Sequence, residues 1–150
     1  MRFWANGFRS SVIPGWNDRS TITLVGPTSQ NGFATNIVVT RQEITEHSAS
    51  AFAKVQLKLL ADEAHHIEIL DERTTTLAGM QIYQRLHLID IGGQIIQQVQ
   101  TYLVQQLNSS ATGFVITCSA TPEDFTRHLP AFRQFTEEFR FFDPDTGEPN

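Results

Sequence analysis

Histidine and acidic side chains come together most densely in the segment His65-His66-Ile67-Glu68. On an extended strand His66 and Glu68 point to the same face, so they could supply two ligands to a metal ion. A stable site needs three or four ligands, and no further ligand follows at a suitable spacing. We therefore interpret the segment as a polar connection between a helix and a strand, and we predict no metal site.

The other reactive side chains do not form a catalytic pattern. Cys118, the one cysteine, lies inside the apolar stretch VITCSA, where we expect a buried and inert thiol. His128 follows Asp124 in a segment typical of a surface turn. The nucleophile-elbow, P-loop and dinucleotide-binding motifs do not occur, and Gly92-Gly93 is typical of a hairpin turn. We predict a protein that is not an enzyme and has no cofactor.

The most unusual stretch is QIIQQVQTYLVQQLNSS at 94–110. Six of its first thirteen residues are glutamine, and no Asp, Glu, Lys or Arg occurs between Ile91 and Pro122. Glutamine carries two donors and an acceptor oxygen on a neutral side chain, so it can bond a partner's polar groups without the cost of burying a charge. This chemistry suits a surface that receives an apolar polypeptide, although glutamine is also an ordinary solvated residue on exposed strands.

Length and charge limit the classes of protein to which the chain can belong. Its 150 residues suit one domain that folds without a disulfide or a metal. A net charge of -5 without a Lys/Arg cluster argues against nucleic acid as a partner. No apolar run approaches the ~20 residues that insert into a membrane, and no secretory signal is visible. We expect a cytoplasmic protein with one domain over 8–142 and a flexible acidic tail over 143–150.

Hydrophobic periodicity predicts the element order β-β-β-α-β-β-β-β-α. The clearest helix is SASAFAKVQLKLLADEA at 48–64, which Ser48 or Ser50 can cap. Near the C-terminus, Pro130 is expected to separate a single turn near 122–128 from a helix over 130–139. The predicted strands are 8–14, 20–25, 33–41, 66–76, 80–89, 94–107 and 113–120.

Successive strands joined by tight turns predict an α+β fold with a single antiparallel sheet and helices packed on one face. In the strand 94–107 the odd-numbered side chains are the more apolar, so we expect them to face the helices. The even-numbered side chains then lie on the open face. That face would carry Gln98, Gln100 and Tyr102, with Tyr83 from the preceding strand, and it is the predicted binding surface.

Several segments, taken in order, resemble the DcrB-related proteins of PsbP-like fold, and most closely the Eag-type chaperones of type VI secretion. They include a Pro-x-Trp-x-Asp motif at 14–18, a glycine before a tyrosine-bearing strand, a glutamine-containing strand, and a Thr-Pro lead into a Pro-Ala-aromatic helix. The resemblance covers about residues 8–140. Its segments are VIPGWNDRSTITL, NIVVTRQ, AFAKV, LAGMQIYQRLHLIDIGGQIIQQVQTYLV and GFVITCSATPEDFTRHLPAFRQF.

The resemblance implies a homodimeric, non-enzymatic chaperone that shields the apolar N-terminal transmembrane segments of a secreted effector before export. In such chaperones an apolar pair on the strand after the Trp motif contacts the client, and Ile22 and Leu24 match that pair here. A client-bonding glutamine of a late strand matches Gln100, whereas the glutamine of the first helix corresponds to Leu59, with Gln56 nearby. The predicted client-binding residues are thus Ile22, Leu24, Tyr83, Gln98, Gln100 and Tyr102.

Two other functions stay open at this point. Because proteins of one fold perform different tasks, the chain could instead bind a small molecule or a lipid. A periplasmic or photosystem-associated PsbP-like subunit is a further interpretation, and the absence of a visible leader argues against it.

Overall fold

The computed structural model describes residues 2–5, 8–11 and 13–142. Two short strands, β1 (Arg2–Ala5) and β2 (Phe8–Ser11), pair with each other as a separate antiparallel hairpin. The strand predicted over 8–14 is therefore shorter than expected, and it pairs with a strand that the sequence pattern did not predict. The predicted tail over 143–150 lies outside the described residues.

Six strands form the main sheet, and each is antiparallel to its neighbours. The spatial order is β3-β4-β8-β7-β6-β5. This sheet and two helices confirm the predicted α+β class with an antiparallel sheet. The strand bounds are Thr21–Thr28 (β3), Ala34–Ile44 (β4), Ile67–Leu77 (β5), Met80–Ile91 (β6), Gln94–Leu107 (β7) and Ser110–Ala120 (β8).

Two-residue turns set the register of the meander from β5 to β7. Ala78 and Gly79 have φ values of 50° and 79°, and Gly92 and Gly93 have values of 60° and 84°. Two consecutive residues with positive φ form the kind of hairpin turn whose twist matches the twist of the flanking strands. The glycines at these turns are thus required by backbone geometry, as the sequence indicated.

Helix α1 (Ala49–Glu63) lies between β4 and β5 in the chain. The Ser48 side chain accepts a hydrogen bond from the Ala51 amide at 3.2 Å, which confirms the predicted cap. Phe52 and Ala53 are fully buried and pack with Tyr102 and Val115 of the sheet.

Helix α2 (Phe125–Glu138) runs continuously through Pro130, so the predicted break at this residue is wrong. Proline cannot donate the hydrogen bond that would normally reach the carbonyl of Thr126. Thr126 and Pro130 are both exposed, so water can satisfy that carbonyl. Because the missing bond lies on the outer side, the buried Phe125 and Phe132 stay on one continuous helix.

The two helices lie on opposite faces of the sheet, which corrects the expectation that both pack on one face. Phe52 of α1 contacts Tyr102 of β7, whereas Phe125 and Phe132 of α2 join the cluster that contains Leu103 of β7. Adjacent residues of a strand point to opposite faces, so Tyr102 and Leu103 separate an α1 face from an α2 face. Within the described ranges, no helix is long and apolar enough to cross a bilayer.

Candidate functional site

The six predicted binding residues divide between the two faces of the sheet. Tyr83 lies opposite Tyr102 in the β6–β7 ladder, and Gln98 and Gln100 share the face of Tyr102 by strand alternation. Ile22 lies opposite Val39, and Leu24 lies opposite Ile37. Val39 and Ile37 belong to the cluster beneath α2. Ile22 and Leu24 are thus on the α2 face, while the two tyrosines and two glutamines are on the α1 face.

The amide-rich face is covered by α1 and is not open as expected. Tyr102 is 1 % exposed and Gln98 is 9 % exposed, while Tyr83 and Gln100 are half-buried. Gly113 of β8 explains how α1 approaches so closely. A Cβ atom built there would lie 2.6 Å from Cζ of Phe52, so only glycine leaves room for the ring. The helix itself therefore occupies the surface that was expected to receive a client.

The glutamines of β7 form hydrogen bonds within the chain, which explains why this strand lacks charge. Gln98 donates to the Ser119 hydroxyl at 3.0 Å, and Gln100 donates to the Thr117 hydroxyl at 3.2 Å. Gln106 donates to the His47 carbonyl at 3.0 Å and Gln105 to the Phe142 carbonyl at 3.3 Å. A neutral amide satisfies neighbouring strands and loops at a lower desolvation cost than a charge.

Arg85 fixes α1 to the sheet, and the sequence analysis did not identify it. Its guanidinium is buried and donates to the Tyr102 hydroxyl at 2.7 Å, to the Ala53 carbonyl at 3.1 Å and to Glu72 Oε1 at 3.2 Å. The cation also lies over the Tyr102 ring, with Cζ 5.1 Å from the centroid. The sequence signal that could have indicated this role is the spacing of Arg85, which lies on the same face of its strand as Tyr83 and His87.

Burial changes the titration of polar groups on the α1 face of the sheet. Desolvation raises the pKa of Tyr102 to about 12, and the nearby Arg85 guanidinium opposes this rise only in part. Desolvation also lowers the pKa of His87, so its neutral form is favoured. Nε2 of His87 lies 2.8 Å from Gln98 Oε1, while Nδ1 is buried with no partner among the described residues. The network is consistent with a structural polar core.

The α2 face has a different organisation, because its helix covers only the middle of the sheet. Exposure rises from 7 % at Val39 of β4 to 47 % at Ile22, its neighbour on the edge strand β3. Leu24 is 48 % exposed beside the partly buried Ile37. These residues continue the hydrophobic cluster into solvent, so we name Ile22, Leu24 and Ile37 the β3 apolar strip.

A cleft of about 360 Å³ opens on the other side of α2, between this helix and strands β5 to β7. A hydrogen bond of 3.1 Å joins Gln84 Nε2 to Thr101 Oγ1 on its floor, and Arg73 Nε donates to Gln84 Oε1 at 3.1 Å. The size and mixed lining are those of a small-ligand pocket. Its apolar lining includes Ile82, Leu86, Val99, Phe125, Leu129 and Phe132.

The reactive side chains weighed in the sequence analysis are not brought together. His65, His66 and Glu68 are exposed, and the described part of the chain contains no group of three or more His, Cys, Asp or Glu that could hold a metal. Cys118 is buried, as predicted, and desolvation raises the pKa of its thiol to about 12. A thiol with this pKa is overwhelmingly protonated near neutral pH.

Comparison with known proteins finds similarity only at the level of the fold. No protein-family model and no curated protein matches the chain. A crystal structure of a Pseudomonas aeruginosa protein of unknown function, PA94, is 14 % identical, covers 95 % of this chain and 97 % of its own, and has a TM-score of 0.79. The topology is therefore shared along nearly the whole of both chains.

Two further solved structures share the fold, and one of them is a PsbP protein. Cyanobacterial PsbP (CyanoP) from Synechocystis is 12 % identical, with a TM-score of 0.57 over 95 % of this chain and 92 % of its own. LpqN of Mycobacterium tuberculosis, which is involved in cell envelope biogenesis, is 13 % identical, with a TM-score of 0.56 over 81 % of each chain. The fold is PsbP-like, as expected. Sequence identities this low do not show that the proteins share a function.

Proposed function

We propose that this protein is a non-enzymatic chaperone of the Eag-type, DcrB-related kind, which shields apolar N-terminal transmembrane segments of a type VI secretion effector in the cytoplasm before export. The observation that carries the proposal is the β3 apolar strip, where Ile22 and Leu24 are almost half exposed although they continue the hydrophobic core. These two residues match the client-contacting pair of the chaperones that the sequence resembles.

The client of such a surface is an apolar helix of ~20 residues, the length that spans a bilayer. In water this helix exposes its apolar side chains, and their burial gains about 25 cal/mol per Å². Strand β3 (TITLVGPT) contains no charged residue, so a client helix packed against it would leave no unpaired charge buried. The strip therefore has the polarity that an apolar helix requires.

Burial narrows the proposed contacts to the α2 face. Tyr102 packs against Phe52 of α1, Gln98 is buried on the same face with its amide bonded to Ser119, and Gln100 is half-buried there with its amide bonded to Thr117. One client helix on the β3 apolar strip cannot touch residues on the opposite face of the sheet. We therefore assign client contact to Ile22 and Leu24, and we assign a structural role to the amide network.

The direct test is to ask whether the pure protein keeps a transmembrane peptide in solution. A 20-residue Ala/Gly/Leu-rich peptide is mixed with the protein in detergent-free buffer, and the peptide in the supernatant is measured after ultracentrifugation. We expect the Ile22→Gln/Leu24→Gln double variant to lose most of this activity. The matched control is Thr21→Gln/Thr23→Gln, which changes the same strand on the opposite face and should retain it. Equal recovery with both variants would remove the β3 apolar strip from the proposal.

The cleft beside α2 supports a second candidate, the binding of a small amphiphilic ligand. Its apolar floor and the Arg73 guanidinium at its rim fit a medium-chain carboxylate. Calorimetry with dodecanoate tests this function, with Val99→Phe to fill the floor and Val38→Phe on the opposite face as the control. Binding that only Val99→Phe abolishes, together with no effect on peptide solubility by the wild type, would favour the ligand-binding function over the chaperone function.

A further inference from the structure

The cleft beside α2 carries charged side chains on both of its walls. Strand β5 supplies Asp71 and Arg73, and α2 supplies Arg133 and Glu137. Each wall therefore presents one carboxylate and one guanidinium, and the four formal charges cancel. A ligand with a single charge is attracted by two of these groups and repelled by the other two, whereas a ligand that carries both charges can complement all four.

The spacing on each wall suits a head group with two charged parts. Asp71 and Arg73 are two residues apart on one face of β5, which is about 7 Å along the strand. Arg133 and Glu137 are four residues apart on α2, which is about 6 Å along the helix. The two walls thus hold their opposite charges at nearly the same separation.

These charged groups are available to a ligand. Among the described residues, none of the four takes part in an ion pair. On α2 the arginine precedes the glutamate, which is the weaker orientation for a charge pair four residues apart. Arg73 donates through Nε to Gln84 Oε1 at 3.1 Å, so its two terminal nitrogens can still donate to an anion.

The floor of the cleft changes from polar to apolar along the strands. Gln84 lies opposite both Arg73 and Thr101, so these three residues form a polar row across β5, β6 and β7. Leu86 and Val99 lie opposite each other on the same face, two residues further along their strands. A head group over the polar row would therefore place an attached hydrocarbon chain over Leu86 and Val99.

The apolar surface continues beyond the cleft toward the turn between β6 and β7. Leu88 follows Leu86 on the same face of β6 and is partly buried, and Ile95 of β7 is 44 % exposed. Ile95 lies opposite Asp90, six residues along β6 from Gln84, or about 20 Å. The cleft volume of about 360 Å³ is near the lower end of the range for ligand pockets, so it suits one hydrocarbon chain rather than two.

We propose that the cleft beside α2 binds a single-chain amphiphile whose zwitterionic head group joins a phosphate to an ammonium. The Arg73 and Arg133 guanidiniums bind the phosphate, and the Asp71 and Glu137 carboxylates attract the ammonium. The inference rests on the second candidate function, ligand binding, and it names the class of ligand. A simple carboxylate would satisfy the guanidiniums and leave two like charges facing it.

The first test compares three ligands that share one dodecyl chain and differ in head group. Isothermal calorimetry measures the binding of dodecylphosphocholine, dodecanoate and dodecyltrimethylammonium below their micellar concentrations. We expect dodecylphosphocholine to bind at least about fivefold more tightly than either singly charged ligand, because it alone complements both kinds of charge. Equal affinities, or tighter binding of dodecanoate, would overturn the inference.

The second test uses the sign of each charge effect. Glu137→Gln should weaken dodecylphosphocholine binding by about two- to fivefold without weakening dodecanoate binding, because it removes a group that attracts the ammonium and repels a carboxylate. Glu138→Gln, its exposed neighbour outside the cleft, changes the net charge equally and should affect neither ligand. Arg133→Gln should weaken the binding of both ligands, and the control Arg127→Gln on the same helix should weaken neither. Circular dichroism verifies that each variant folds. A parallel loss of both ligands in Glu137→Gln would refute the assigned role of the carboxylates.

The third test locates the ligand and its source. Val99→Phe, which fills the floor, should abolish dodecylphosphocholine binding, and Ile22→Gln/Leu24→Gln should leave it unchanged. Loss of binding in the double variant alone would place the ligand on the β3 apolar strip and refute the site. Vesicles of a two-chain phosphatidylcholine should not sediment the protein, because the cleft suits a single chain. Sedimentation with the vesicles would identify a membrane surface as the ligand and overturn the inference.

The inference and the proposed functions fail in different ways. Tighter binding of dodecanoate than of dodecylphosphocholine would refute the zwitterionic head group and leave ligand binding standing. Absence of binding by all three amphiphiles would refute both the inference and the second candidate function. The chaperone function is judged separately by the solubility of the transmembrane peptide, which depends on the β3 apolar strip and not on the cleft.

Discussion

The two faces of the main sheet differ in which side chains the covering helix buries and which it leaves exposed. On the α1 face, Arg85 is hydrogen-bonded to Tyr102 and to Ala53 of the helix, and His87 and Gln98 form a second buried hydrogen-bonded pair. On the α2 face an apolar cluster packs beneath the helix, beside the buried Thr101 and Gln105, yet its outer parts at Ile22 and Leu24 stay exposed. The face that buries a charged side chain is the closed one, and the face with the larger apolar cluster is partly open.

This difference shows that the polarity of a strand face does not by itself predict its exposure. Glutamine, tyrosine and arginine side chains can be buried when neighbouring strands satisfy their hydrogen bonds. Apolar side chains at a sheet edge stay exposed when the covering helix is narrower than the sheet. We therefore base the proposed binding surface on the exposed apolar residues and not on the amide-rich strand.

The largest losses of stability are expected when the phenylalanine that anchors each helix is truncated, and the loss should differ between the two faces. Phe52→Ala should lower the free energy of unfolding by about 4–5 kcal/mol, because Gly113 beneath the ring has no side chain to fill the cavity. Phe132→Ala should cost about 3 kcal/mol, because the cleft beside it allows relaxation. Urea denaturation of both variants provides the measurement. A larger cost for Phe132→Ala would contradict this account of the two faces.

Removing the buried cation should weaken only the α1 face. Arg85→Met keeps much of the side-chain volume but removes the hydrogen bonds that Arg85 donates to the Ala53 carbonyl and the buried Tyr102 hydroxyl, so we expect a loss of about 2 kcal/mol. Arg73→Met, an exposed arginine at the rim of the α2 cleft, is the control and should change stability by less than about 0.5 kcal/mol. Equal effects in chemical denaturation would show that the Arg85 bonds do not hold α1.

The closed α1 face should also make stability depend on pH. Because the pKa of His87 is lowered in the folded state, the unfolded chain binds the proton more readily, and stability falls as pH drops below about 6.5. The loss approaches about 1.4 kcal/mol per pH unit until the folded pKa is reached. Denaturation curves between pH 5 and 7.5 should lose this slope in His87→Gln. The exposed His65→Gln is the control, and the same slope in both variants would exclude His87 as its source.

The smallest effect on stability is expected at the β3 apolar strip. Ile22→Gln/Leu24→Gln removes side chains that are already about half exposed, so the loss should stay below about 1 kcal/mol. Thermal melting beside the Thr21→Gln/Thr23→Gln control provides the measurement. A loss above about 2 kcal/mol would mean that these residues belong to the core, and it would weaken their assignment to client binding.

Local sequence signals predicted much of the fold. The glycine-containing turns at 78–79 and 92–93, the Ser48 cap and most strand positions follow from short-range chemistry, and the structure confirms them. The break at Pro130 was wrong because the missing hydrogen bond lies on the solvent side of α2. The role of Arg85 was missed because its partners come from β5, β7 and α1, far apart in the chain.

The sequence by itself determined which residues share a face of each strand, because side chains alternate with a period of two in any register. It therefore grouped Tyr102 with Gln98 and Gln100, and Ile22 with Leu24. Only the tertiary structure decided how the strand faces align and which face each helix covers. That choice depends on the fit of Phe52 over Gly113 and on hydrogen bonds between distant strands, which no local pattern contains.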